Sequence, residues 1–263
     1  MSNEASTPAQ FTEKLFGLGG QLAVVTGASR GIGRAIAGAL AQAGADVIGV
    51  SHDIPLGASQ TRDAVEGAGR TFVPLRADFA DRGAVAELAA ELSGRDVDIL
   101  VNNGGTIRRT PAAEHPDEDF DHVMDVNLRT AWVLSREIGR GMIARGHGKI
   151  VNTASMLSFQ GGINVPGYTA SKSAIAGLTK ALANEWASKG VNVNAVAPGY
   201  VTTDNTQALR ADAGRSEDIL GRIPAGRWAE AADIAGAVLF LCSPAAAYVN
   251  GAILPVDGGW LAR

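Results

Sequence analysis

The chain has little cysteine, few aromatic side chains and little net charge, and each shortage closes off a class of function. Its 263 residues hold one cysteine, Cys242. An intramolecular disulfide and a thiolate-bound zinc cluster are therefore impossible, and no metal is expected. Cys242 ends the apolar run Val238-Leu239-Phe240-Leu241 and reads as core. The formal charge is −4 and the pI about 5.6, without the basic stripe of a nucleic-acid binder. No run approaches the ~20 apolar residues that span a bilayer. The first residues show no basic stretch leading into an apolar one, so no secretory leader is expected. A cytoplasmic protein with a small-molecule partner, and neither a nucleic-acid nor a membrane partner, is the expectation.

Hydrophobic residues make up 46% and charged residues 19%, too apolar a balance for a disordered chain. Thirty-three glycines against 5% aromatics imply tight turns and close backbone approaches. The length suits one large α/β domain. Short apolar runs at 21–26, 46–51, 71–75, 98–102, 149–152, 191–196 and 252–256 predict seven strands. Helical patterns lie between them near 31–43, 56–67, 81–93, 117–145, 167–189 and 229–242. Such alternation implies right-handed βαβ units and a parallel sheet covered on both faces. Residues 1–17 read as an N-terminal tail, loose over 1–10 and lying against the body from Phe11. Residues 18–263 read as one doubly wound dinucleotide-binding and catalytic domain of the Rossmann type, with three αβα layers.

The first strand runs into Thr26-Gly27-Ala28-Ser29-Arg30-Gly31-Ile32-Gly33 and at once into a helix. Gly27, Gly31 and Gly33 allow a tight turn and close approach to a pyrophosphate at a helix N-terminus. The spacing is G-x3-G-x-G, so its place after the first strand carries the reading. At the end of the second strand an acidic residue would hold ribose hydroxyls and a basic one a 2′-phosphate. Here the chain reads Ser51-His52-Asp53, with the acid two residues late and Arg30 as a possible phosphate partner. NAD is expected, with NADP left open. Asp78 is placed either to accept from an adenine amino group or to cap the next helix, for which Asp81 competes. Asn102-Asn103-Gly104-Gly105 follows the fourth strand, at the strand ends where ligands bind. Asn127 is an amide inside an apolar helical pattern, which implies a specific partner.

Tyr168 and Lys172 are four residues apart on the 167–189 helix and so share a face. An ammonium beside a phenol favours the phenolate, so Tyr168 is expected to exchange a proton with a substrate oxygen. Ser155, at the end of a strand, can hold that same oxygen.

Together these residues resemble the short-chain dehydrogenase/reductase family over nearly the whole chain from Leu18. The resemblance rests on the glycine turn, Asn102-Asn103-Gly104-Gly105, Asn127, Ser155, Tyr168-x3-Lys172 and Pro198-Gly199-Tyr200-Val201-Thr202-Thr203. Where the family usually has Asn-Asn-Ala-Gly, Gly104 replaces the alanine. The resemblance implies that Tyr168 is the acid/base, that Lys172 tunes it and binds the cofactor ribose, and that Ser155 positions substrate. It gives Asn127 a water linking Lys172 to solvent. It also places Pro198, Gly199, Val201 and Thr203 at the cofactor, beside Asn103 and Gly104. Helices near 117–145 and 167–189 match those that pair subunits in family tetramers.

A narrower likeness, to sugar-acid dehydrogenases of that family, rests on Ile107-Arg108-Arg109, the run after Ser155, Asn205-Thr206-Gln207, 222–228 and 256–263. It implies oxidation of a secondary hydroxyl, at C5 of a 2-dehydro-3-deoxy sugar acid. Arg108 and Arg109 would bind its carboxylate. Gln160, Asn205 and Gln207 would read its hydroxyls, the last two within a lid over about 203–228. Gluconate 5-dehydrogenase or 3-oxoacyl carrier-protein reductase activity is the alternative enzyme reading. A catalytically silent nucleotide-binding regulator is the other class.

Overall fold

Seven β-branched, apolar runs form one parallel sheet in the computed structural model, which describes residues 7–263 except the side chains of Asn205 and Ala208. The strands are β1 (Leu22–Thr26), β2 (Asp46–Val50), β3 (Phe72–Leu75), β4 (Ile99–Asn102), β5 (Gly148–Thr153), β6 (Val191–Pro198) and β7 (Ile253–Val256), in the order β3-β2-β1-β4-β5-β6-β7. Successive strand residues face opposite ways. Val25, Val47, Val101 and Val196 therefore pack under α2 (Gly31–Gln42), α3 (Gln60–Glu66) and α10 (Ala231–Cys242). Val24, Ile48, Leu100 and Ile150 pack under α4 (Arg82–Ser93), α6 (Thr130–Arg145) and α7 (Pro166–Trp186). The three αβα layers are as the sequence implies.

Three segments depart from the sequence reading. The tail expected to be loose over 1–10 is already helical from Pro8: α1 (Pro8–Phe16) begins with reciprocal caps between Thr7 and Gln10. The helix expected over 56–67 starts only at Gln60, where the Ser59 hydroxyl accepts from the Arg62 amide. The long 117–145 pattern divides into α5 (Asp117–Met124), one π-helical turn over Asp125–Arg129, and α6. Such turns often mark functional positions, and Asn127 lies within this one. Past β6, the 203–228 stretch carries α8 (Gln207–Ala211) and α9 (Ala213–Arg222).

A buried polar chain crosses the sheet next to the strand ends. Asn102 donates to Ser135 (3.0 Å) and to its strand neighbour Asn152 (2.8 Å). Asn152 passes the chain on to Thr179 on α7 (2.9 Å). The chain ties together β4, β5, α6 and α7, although the Asn102 Oδ1 finds no partner among the described residues.

Candidate active site

One groove of about 570 Å³ runs along the carboxyl ends of the strands, where ligands bind in doubly wound sheets. Its floor is the turn after β1. Gly27 has φ +68° and Gly31 φ +54°, a region that favours glycine. A Cβ on Gly33 would collide with the Gly27 carbonyl. Thr26 braces this turn from behind: its hydroxyl accepts from the amides of Asn103 (3.0 Å) and Gly104 (2.8 Å). Asn103 in turn donates to the Thr26 carbonyl (3.0 Å). Backbone therefore lines the floor with nothing to block a pyrophosphate, so the residues fit a dinucleotide.

Ser29, Arg30, Ile32, Ser51, His52, Asp53, Asp78, Asn103, Gly104, Tyr168, Lys172 and Thr203 also line the groove, as the sequence suggested. Arg30 is shared by two acids, Asp53 at 2.6 Å and Asp204 at 3.3 Å. The Asp53 carboxyl loses solvation, yet hydrogen bonding to Ser29 and the charges of His52 and Arg30 hold it below its ordinary value. The competition between Asp78 and Asp81 is resolved. Asp81 caps α4 through the Gly83 and Ala84 amides, leaving Asp78 on the groove wall with only the Ala80 amide.

Pro198, Gly199 and Val201 are not brought to the groove. A Cβ on Gly199 would stand 2.7 Å from the Asp257 Cα, so packing accounts for that glycine. Val201 is buried in a bridge to Ala229.

At the far end the four candidate proton-handling residues converge. Asn127 has the specific partners its position implied. Its carboxamide accepts from the Thr106 amide (2.8 Å), donates to the Thr106 carbonyl (3.0 Å), and donates to Ser171 on α7 (3.0 Å). Lys172 is 4% exposed and donates to the Thr153 carbonyl at 2.6 Å. Burial brings its ammonium down to about 8. Ser155, two residues past β5, is buried, and its hydroxyl accepts from the Leu157 amide (3.1 Å).

One electrostatic expectation needs correcting. Burial raises the Tyr168 phenol above its ordinary value, and the opposing influences are the Ser155 hydrogen bond and the charge of Arg109. Lys172 Nζ lies over the Tyr168 ring, 5.6 Å from its centroid, while donating to the Thr153 carbonyl.

Of the substrate candidates, Arg108 lines the groove but is engaged, with Nε 3.2 Å from Asp119 and a terminal nitrogen 3.3 Å from His122. Arg109 is exposed, and its charge reaches the Tyr168 phenol. Gln160 and Gln207 are not among the groove residues. The Asn205 side chain lies outside the described residues. Sequence reasoning missed Phe79, Thr106, His122, Val126, Thr153 and Asp204, all on the groove wall. His122 and Val126 are four residues apart, with Val126 directly before Asn127, a spacing that could have exposed them.

Comparison with known proteins agrees with this geometry. A family model described as enoyl-(acyl carrier protein) reductase matches residues 27–261. The 2-dehydro-3-deoxy-D-gluconate 5-dehydrogenase of Pseudoalteromonas atlantica is 58% identical, over 94% of this chain and 98% of the relative. That of Bacillus subtilis is 56% identical, over 94% and 97%. The chain belongs to the short-chain dehydrogenase/reductase family. Among solved structures, an Agrobacterium tumefaciens protein named as a candidate 2-deoxy-D-gluconate 3-dehydrogenase, with bound NADP, superposes with a TM-score of 0.89. It is 53% identical, over 94% of this chain and 99% of that one. Membership makes the chain an oxidoreductase that acts on a CH–OH group with a nicotinamide cofactor.

Proposed function

We propose that this enzyme interconverts a secondary hydroxyl and a ketone on a sugar acid, with 2-dehydro-3-deoxy-D-gluconate oxidised at C5. The observation that carries the reading is buried Lys172, held on the Thr153 carbonyl one turn from Tyr168, at one end of a groove built for a dinucleotide. The nicotinamide cofactor supplies hydride acceptance from the carbinol carbon. Ser155 holds the substrate oxygen, and Tyr168 as phenolate takes its proton. Lys172, anchored on Thr153, holds the cofactor ribose and keeps positive charge near the phenol at neutral pH. Asn127 fixes the Thr106 backbone and α7 around Lys172, and keeps a water beside the ammonium that returns protons to solvent. Arg109, whose charge reaches the Tyr168 phenol, is the carboxylate partner in this reading because it acts on the same end of the groove as the proton chemistry.

NAD is the preferred cofactor in this reading. A 2′-phosphate entering beside Ser51 meets Asp53 and Asp204, which already share Arg30, and like charges there oppose it. The enzyme acts as a cytoplasmic homotetramer, paired through α5, α6 and α7. The half-exposed rings of Phe120 and Trp132 on the first two helices support that pairing.

The test is reduced-nicotinamide formation with a panel of sugar acids, including gluconate and 2-dehydro-3-deoxy-D-gluconate, with NAD and NADP in parallel. Highest kcat/KM on the deoxygenated acid with NAD is expected. A clear preference for a 3-oxoacyl thioester would refute the substrate reading, and no turnover with any member would leave only the silent regulator.

A further inference from the structure

The lid is seated on the C-terminal segment, and the seat is one side chain. Trp260 is 4% exposed and shares an apolar cluster with Ile219 and Ile223 from the α9 region and with Met156, the residue after Ser155. The Arg222 guanidinium lies 3.9 Å from the centre of the Trp260 ring, well inside cation–π range. Two hydrogen bonds run alongside. Arg263 donates to the Gly221 carbonyl (2.8 Å), and the Ala225 amide donates to the Gly258 carbonyl (2.9 Å). The contact is tight at Gly258, where φ is +65° and a Cβ would stand 2.9 Å from Ile223. The Asp257 carboxylate fixes the terminal turn by accepting from the Gly259 and Leu261 amides. The buried Trp260 indole N–H has no partner among the described residues, and buried polar groups are rarely left so.

We propose that Trp260 is a positioning residue for substrate binding: with Arg222 on its face, it seats α9 against the loop that carries Ser155. The lid is then held in place from the C-terminus as well as through its own chain connections at Thr203 and Trp228. Loosening this seat weakens substrate binding and leaves the proton chemistry at Tyr168 intact. This inference rests on the reading that the 203–228 stretch covers the substrate.

The experiment uses the full chain with Arg222→Gln, Arg222→Lys and Trp260→Phe, and two readouts. The first is steady-state kinetics with the preferred sugar acid. The second is the rate of limited proteolysis within α8 and α9, measured with neither substrate nor cofactor. Arg222 is exposed, so its variants are expected to fold. Arg222→Gln should raise KM for the acid roughly 3- to 30-fold, with kcat and the cofactor KM little changed, and should speed cleavage by a similar factor. Arg222→Lys should restore most of both, because it keeps a cation over the ring. Trp260→Phe should fall between them. A higher KM with unchanged cleavage would show that Arg222 binds the substrate carboxylate directly, which overturns the seating role. Unchanged values in both readouts overturn it equally. If no sugar acid is turned over, the proteolysis still reports on the seat, so failure of the functional reading is distinguishable.

Discussion

Lys172 and Thr153 meet in a 2.6 Å hydrogen bond, ammonium to backbone carbonyl, at the last residue of β5. The Thr153 hydroxyl beside it is buried without a partner and lies on the groove wall. The strand end thus fixes the lysine and offers a spare polar atom to whatever occupies the groove. Tyr168, one turn earlier on α7, faces Ser155, two residues beyond Thr153, so the same strand end and the same helix set both side chains.

Tyr168→Phe should abolish turnover while leaving cofactor binding nearly unchanged. The ring still packs at the start of α7, and only the hydroxyl is lost. General acid–base catalysis contributes about 10²–10⁴-fold. Retention of more than roughly a tenth of wild-type kcat would remove Tyr168 from the role of base. Cofactor affinity, read by fluorescence titration, checks that the groove survives.

Lys172 should make the protein more stable as pH rises from 8 to about 10. Its ammonium is brought from 10.5 down to about 8 in the folded chain. Between those values the unfolded chain binds more protons than the folded one, so unfolding becomes harder with rising pH. Below pH 8 the buried charge costs on the order of 3 kcal/mol relative to the neutral form. Lys172→Met should therefore be inactive yet more stable than wild type at pH 7, with the difference shrinking toward pH 10. Thermal unfolding of both proteins across that range gives the comparison. A constant gap would mean that the lysine is not destabilised by burial.

The Gly104 position yields a packing prediction. A Cβ there would stand 2.6 Å from the Phe79 ring, so Phe79 occupies the room that the family's usual alanine would need. Gly104→Ala alone should destabilise by about 1–3 kcal/mol, the ordinary cost of overpacking. Adding Phe79→Val should recover much of that loss, since residues in contact are not additive. Chemical denaturation of the two single variants and the double variant decides it. Simple additivity would show that the two positions are independent.

The sheet was legible because its strands are short, apolar and evenly punctuated, and the glycine turn because its place after β1 leaves it one job. Tyr168 and Lys172 were legible because their one-turn spacing sits among the glycine turn, Asn127 and Ser155; the spacing alone would not have marked them. The interior polar chain from Ser135 through Asn102 and Asn152 to Thr179 was not, because pairings across strands have no fixed spacing in sequence. The π-helical turn at Asn127 was hidden in a continuous helical pattern. The Tyr168 electrostatics were misread for a related reason. Sequence shows that a lysine lies one turn away but not how deeply the phenol is buried. Burial, visible only in three dimensions, then outweighs it.

Arg108 and Arg109 should prove unequal, although the sequence offers them as a pair. Arg108 lies on the groove wall, 3.2 Å from Asp119 and 3.3 Å from His122, and its charge is not among the influences on the Tyr168 phenol. Arg109 is exposed, and its charge reaches the Tyr168 phenol. A hydrogen bond to a charged group is worth ~1.5–3 kcal/mol, roughly ten- to a hundredfold in kcat/KM. Arg109→Gln should cost that much with a sugar acid and far less with a neutral polyol of similar size. It should also displace the pH profile of oxidation upward, because removing a cation near the phenol raises its pKa. Arg108→Gln should cost less with the acid and leave the profile in place. Measuring both variants on one acid and one neutral analogue across pH separates the outcomes. Equal losses on acid and neutral substrates would place the carboxylate contact elsewhere, with Arg210 on the lid the next residue to test.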